Sequence, residues 1–155
     1  MSIIRKATSS EVGPDLTFVL SDATVDRMGD TIDPAGWDLR WFRKNPIALF
    51  GHDSAFPIGK WADVRVEGGK LIGRLMLAAE GTSARIDEIR RLVEQGVLRA
   101  VSVGFKPLEA EPKDKAQPWG AQTYKRSELL ETSLVSVPAN PAALALAKSL
   151  SISDD

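Results

Sequence analysis

The sequence predicts a single β-rich α+β domain, and three features lead to that class. Apolar residues cluster in short runs that alternate or are β-branched, the pattern of strands with a buried face. Helical periodicity framed by cap and stop signals is confined to short segments. The 155 residues, 43% apolar and 26% charged, suit one core and leave little room for wholesale disorder.

Residues 16–24 (LTFVLSDAT) are apolar and β-branched and predict the first strand. A short turn is expected from Pro34 to Lys44, ended by Pro46, because the residue before a proline is pushed out of the helical region. Residues 47–50 (IALF) predict a short buried strand before Gly51. From Trp61 to Leu77 the chain reads as a hairpin, WADVRVE and KLIGRLML joined by Gly68-Gly69, which supplies the positive φ of a tight turn. Thr82-Ser83 caps a helix in which Ile86, Ile89, Leu92 and Val93 share a face, Asp87 pairs with Arg91 and Gly96 provides the stop.

Residues 98–106 (LRAVSVGFK) alternate, with bulky Val101, Val103 and Phe105 on one face and small Ala100, Ser102 and Gly104 on the other. Residues 107–121 (PLEAEPKDKAQPWGA) carry prolines and charges without periodicity and predict a mobile surface loop. Residues 129–137 (LLETSLVSV) predict a last strand halted at Pro138. Asn140-Pro141 opens a second helix over AALALAKSL. The domain is expected over residues 1–150, with a frayed tail over 151–155. Trp37, Trp41 and Trp61 are expected in the core.

Charge and composition exclude several functions. Twenty basic residues against 21 acidic ones give a net charge of −1, which removes the electrostatic footprint of a nucleic-acid binder. With no cysteine, disulfides, thiolate metal sites and a Cys nucleophile are out, in keeping with a cytoplasmic setting. No apolar run reaches the length of a membrane span, and the N-terminal Met-Ser-Ile-Ile-Arg-Lys lacks a signal-peptide core. One histidine falls short of a zinc ligand set, so neither metal nor cofactor is expected.

His52 is the sole imidazole, so any imidazole acid–base step must use it, and activity should then fall as pH drops through the imidazole range. A lone loop histidine is more often a plain polar residue, and a strand serine such as Ser102 a small residue on a solvated face. The bare neighbours Ala100 and Gly104 change the weighing for Ser102, because an extended peptide could then come close to its hydroxyl. A serine hydroxyl needs an adjacent base, and His52 is the available one. A carboxylate would orient the imidazole. Glu131 is the attractive choice, since a charge within an apolar strand is costly unless paired, with Asp53, Asp30 and Asp33 as alternatives.

The series Gly29-Asp30, Asp33-Pro34-Ala35-Gly36-Trp37, Asn45-Pro46, Gly51-His52-Asp53, Pro57-Ile58-Gly59, Ser102-Val103-Gly104-Phe105, Glu131-Thr132-Ser133-Leu134-Val135 and Pro138-Ala139-Asn140-Pro141 resembles the prohead proteases of tailed phages across about residues 16 to 147. Each fragment is weak alone, whereas the shared order is specific. The resemblance implies a serine endopeptidase that matures procapsids. It also implies an assemblin-like fold related to that of herpesviruses: a small, closed or partly open, antiparallel-dominated β-barrel flanked by a few helices.

By that resemblance the nucleophile falls on Ser102, the base on His52 and the acidic third member on Glu131. Herpesvirus relatives use a second histidine as third member, which this chain lacks, so a carboxylate must substitute or the site works as a dyad. Oxyanion donors, by the same analogy, fall on the backbone N–H groups of Ala139 or Asn140, since Pro138 and Pro141 have none. The implied substrates are scaffold and capsid segments, with self-cleavage in flexible stretches, inside the procapsid in the host cytoplasm. No nucleic-acid or membrane partner is expected, and because assemblin relatives gain activity on dimerising, a homodimer is among the expected assemblies. The rival reading is a phage structural β-barrel that binds a partner by strand addition; an oligonucleotide-binding barrel is disfavoured by the neutral charge and single tyrosine.

Overall fold

The computed structural model describes residues 3–9, 15–26 and 28–136. Among the described residues nine strands follow in order: β1 (Ile4–Ser9), β2 (Thr17–Asp22), β3 (Thr31–Ile32), β4 (Trp37–Asp38), β5 (Ile47–Phe50), β6 (Asp53–Glu67), β7 (Lys70–Leu77), β8 (Ala100–Pro112) and β9 (Gln122–Val135). The helix α1 (Ala84–Glu94) links β7 to β8, and single 3-10 turns at Pro34–Gly36 and Phe42–Lys44 fill the expected turn region.

All nine strands form one sheet, ordered β1-β8-β9-β5-β6-β7-β2, with β3 and β4 also lying along β9. Most pairs are antiparallel, but β3, β4 and β5 all run parallel to β9. The sheet curls until its outer strands β1 and β2 meet, giving a half-barrel. Lys6 Nζ, on β1, fastens that seam by donating to the Thr24 carbonyl at 3.0 Å, just beyond β2.

The core fills the concave side. Phe18 and Leu20 of β2, Ile58 and Trp61 of β6, Leu71 and Leu75 of β7, and Val101, Val103 and Phe105 of β8 are all buried, and α1 adds Ile86, Ile89 and Val93. Phe18 meets Trp61 edge to face at 5.7 Å, an arrangement that adds to the burial of both rings. The alternation expected over 98–106 is present, since its bulky residues all point into this core. Ser83 Oγ caps α1 by accepting the Ile86 N–H at 3.1 Å, and Gly96 adopts φ +74° after the last turn. Asp87 turns back to accept from the Gly81 N–H at 3.0 Å rather than pairing with Arg91.

The hairpin from Trp61 to Leu77 forms about Gly68 and Gly69, at φ +59° and +74°, with its first strand reaching back to Asp53. Two further expectations need correction. Residues 107–112, expected in a mobile loop, continue β8, and β9 begins at Gln122, so the segment is a two-stranded arm with its turn at 113–121. The pairing of two long strands outweighs the local proline signal, because Pro107 and Pro112 sit in a strand that has only β9 beside it there. Trp41 is 60% exposed with the Lys44 ammonium over its ring, rather than in the core. β1 was not anticipated at all: its Ile-Arg-Lys-Ala-Thr-Ser sequence has little apolar signal, and its partner β8 organises it. The expected helix after Asn140 and the tail lie outside the described residues.

Candidate active site

The site forms where three neighbouring strands of the sheet, β8, β9 and β5, run side by side. Ser102 of β8 faces Ser133 of β9 directly, and Gly104 faces Glu131. Directly opposed residues share a face of the sheet, so Ser102, Gly104, Glu131 and Ser133 make one small polar square. The opposite face of β8 and β9 carries Val101, Val103, Thr132 and Leu134, all fully buried.

His52 arrives from the third strand. β5 pairs with β9 through Phe50 and Leu134, then reverses into β6 through a two-residue turn made of Gly51 and His52, with Phe50 opposite Asp53. Both turn residues have φ +61°, as the tight hairpin turns matched to strand twist require. Histidine tolerates that left-handed conformation better than most side chains, at a cost that the surroundings must offset. Both turn amides are anchored to β9: Gly51 N–H donates to the Leu134 carbonyl at 2.9 Å, and His52 N–H to Ser133 Oγ at 3.0 Å.

The anchored turn aims the imidazole across β9 at β8. His52 Nε2 lies 2.8 Å from Ser102 Oγ, and Nδ1 makes a short contact with Glu131 Oε1. An ionised carboxylate can only accept, so Nδ1 carries the proton and donates it. The Nε2 lone pair then accepts the Ser102 hydroxyl proton. Glu131 Oε2 in turn accepts the Ser133 hydroxyl at 2.9 Å. The side chains of His52 and Glu131 are 9% and 18% exposed, and Ser102 is 1% exposed.

The structure brings together Ser102, His52 and Glu131. The alternative carboxylates serve local backbone instead: Asp53 accepts from Ala55 N–H, Asp33 from Ala35 N–H and Asp30 from Gln122 N–H. Ala139 and Asn140, expected as oxyanion donors, lie outside the described residues. A Cβ on Gly104 would lie 2.5 Å from Glu131 Oε1, so the bareness of Gly104 makes room for the carboxylate. Sequence reasoning missed Ser133, although its period-two spacing from Glu131 put both on one strand face.

The family model for the caudovirus prohead serine protease matches residues 16–154. The prohead protease of Escherichia phage T5 is 38% identical over 135 residues, covering 81% of this chain and 59% of that protein. A capsid polyprotein of Pseudomonas phage PAJU2 is 30% identical over 133 residues, covering 83% of this chain and 19% of that protein. This chain thus spans less than two thirds of either relative's length. The bacteriophage T4 capsid assembly protease shares the fold, with a TM-score of 0.56 at 16% identity over 89% of this chain and 92% of that one. On the match across residues 16–154, the chain belongs to the caudovirus prohead serine protease family.

Proposed function

We propose that this protein is a serine endopeptidase in which Ser102 is the nucleophile, His52 the general base and Glu131 the group that orients and charge-stabilises the imidazole. The observation that carries the reading is the unbroken hydrogen-bonded chain Ser102–His52–Glu131, drawn from two strands and a turn more than 25 residues apart in sequence. A binding barrel that works by strand addition gives no reason for the chain's sole imidazole to sit between a hydroxyl and a carboxylate.

In the acylation step Ser102 Oγ attacks the peptide carbonyl carbon while its proton passes to His52 Nε2. The Nδ1–H bond to Glu131 stabilises the imidazolium that forms. His52 then returns the proton to the leaving amine, the C–N bond breaks, and an acyl-Ser102 ester remains. Water, deprotonated by the same imidazole, attacks the ester and releases the acid. No step calls for a metal or cofactor.

The substrates are scaffold and capsid segments, cleaved within the assembling procapsid in the host cytoplasm. Family membership and the named phage relatives support that choice. Self-cleavage and a homodimer belong to the same reading. The test is co-expression with a scaffold-bearing capsid protein of the same phage. Wild-type protein yields defined fragments, whereas Ser102→Ala and His52→Ala yield none. Fragments that persist in both variants would overturn the assignment.

A further inference from the structure

Ser133 lies outside the three residues of that assignment, yet its hydroxyl joins two of them. The residue is fully buried, and its Oγ accepts the His52 backbone N–H at 3.0 Å while donating to Glu131 Oε2 at 2.9 Å. Glu131 Oε1 accepts from His52 Nδ1, so the hydrogen bonds close a ring: His52 main chain, Ser133, Glu131, His52 imidazole. We propose that Ser133 is a positioning residue for peptide cleavage, fixing at once the turn that presents the imidazole and the rotation of the carboxylate that steers it. This rests on reading Ser102, His52 and Glu131 as the catalytic set.

The terminal torsion of a glutamate is broad, so a carboxylate held through one oxygen can still swing off Nδ1. A donor on the second oxygen stops that swing, and Ser133 supplies it from the same face of the same strand. His52 at φ +61° also depends on its surroundings, and Ser133 Oγ receives its amide. Among the described residues, other buried hydroxyls outside the site are not used this way: Ser21, Ser127 and Thr132 carry buried oxygens with no hydrogen-bond partner. Double engagement of a buried hydroxyl is therefore a feature of this site and not of the core at large. Removing it leaves a buried N–H and a carboxylate oxygen unpaired, the costly kind of loss.

The test uses the full chain carrying Ser133→Ala, with Ser133→Cys as an isosteric weak donor should the alanine variant fail to fold. Cleavage of the co-expressed capsid protein is timed under single-turnover conditions. The Nδ1 proton is followed by NMR, where the sole histidine gives one imidazole signal set. The expected result is cleavage slowed by about 10- to 100-fold, with the hydrogen-bonded Nδ1–H resonance moved upfield or lost to exchange. Wild-type cleavage, or slowed cleavage with the Nδ1–H resonance unchanged, would overturn the proposal. Ser102→Ala is run beside it: if that variant still cleaves, the catalytic set itself is wrong. If Ser102→Ala is dead while Ser133→Ala is normal, only the role of Ser133 fails.

Discussion

Gly104 and Glu131 face each other across the β8–β9 ladder, and a methyl group on Gly104 would stand 2.5 Å from the carboxylate oxygen that meets His52. Such separations do not occur between real atoms, so one of the two must give way. The glutamate is the more mobile partner. Gly104→Ala is expected to keep the fold, because the displaced atoms end a side chain, and to slow cleavage by about 100-fold through loss of imidazole alignment. A melting curve together with a cleavage time course checks both halves. An alanine variant that cleaves at the wild-type rate would show that Glu131 is dispensable.

Glu131→Gln separates a triad from a dyad. The amide preserves shape but can offer His52 either an N–H donor or a neutral oxygen, so the imidazole loses the anion that fixes its tautomer and stabilises its charged form. The expected loss in kcat is about 10⁴-fold, as for the equivalent change in other serine protease triads. A loss under about tenfold would indicate that Ser102 and His52 suffice.

In the proposed mechanism the base is the His52 imidazole, which sets the sign of the pH dependence. Nε2 accepts the Ser102 proton only when it carries none itself, so protonation on the acid side removes activity and rising pH restores it. A kcat/KM profile that does not rise from acid to neutral pH would remove His52 from the role.

Two substitutions should affect stability and leave the chemistry alone. Ser83→Ala removes the α1 cap and is expected to cost about 1 kcal/mol. Gly36→Ala drives a Cβ into the Lys125 carbonyl of β9, a backbone atom that cannot swing aside, and is expected to cost about 1–3 kcal/mol or more. Neither residue belongs to the hydrogen-bonded network of Ser102, His52, Glu131 and Ser133, so the rate per folded molecule should stay at the wild-type value. Chemical denaturation and cleavage assays on the same preparations check this. A rate loss in Ser83→Ala without unfolding would tie α1 to the site.

Much of the strand content was legible because its signals are local. The Gly68-Gly69 hairpin, the Ser83 cap and the alternation over 98–106 each depend on neighbours in sequence, and each formed as expected. β1 and the arm over 107–112 were not legible, since their backbone groups are satisfied by partners far along the chain: Ile4 pairs with Phe105, and Pro107 with Ser127. The left-handed turn at Gly51-His52 could be suspected only at the glycine. His52 adopts φ +61° because the β5–β6 reversal demands it and β9 receives both amides.

For the site, residue chemistry by itself determined the inventory: one imidazole, a serine flanked by small residues, a carboxylate within an apolar strand. Tertiary structure decided their use. It placed Glu131 rather than Asp53 on Nδ1, filled the space above Gly104 with a carboxylate, and drew Ser133 into the network. The reason is that side-chain identity is written in the chain, whereas the distance between two side chains is set by strand register, and register is a property of the whole sheet.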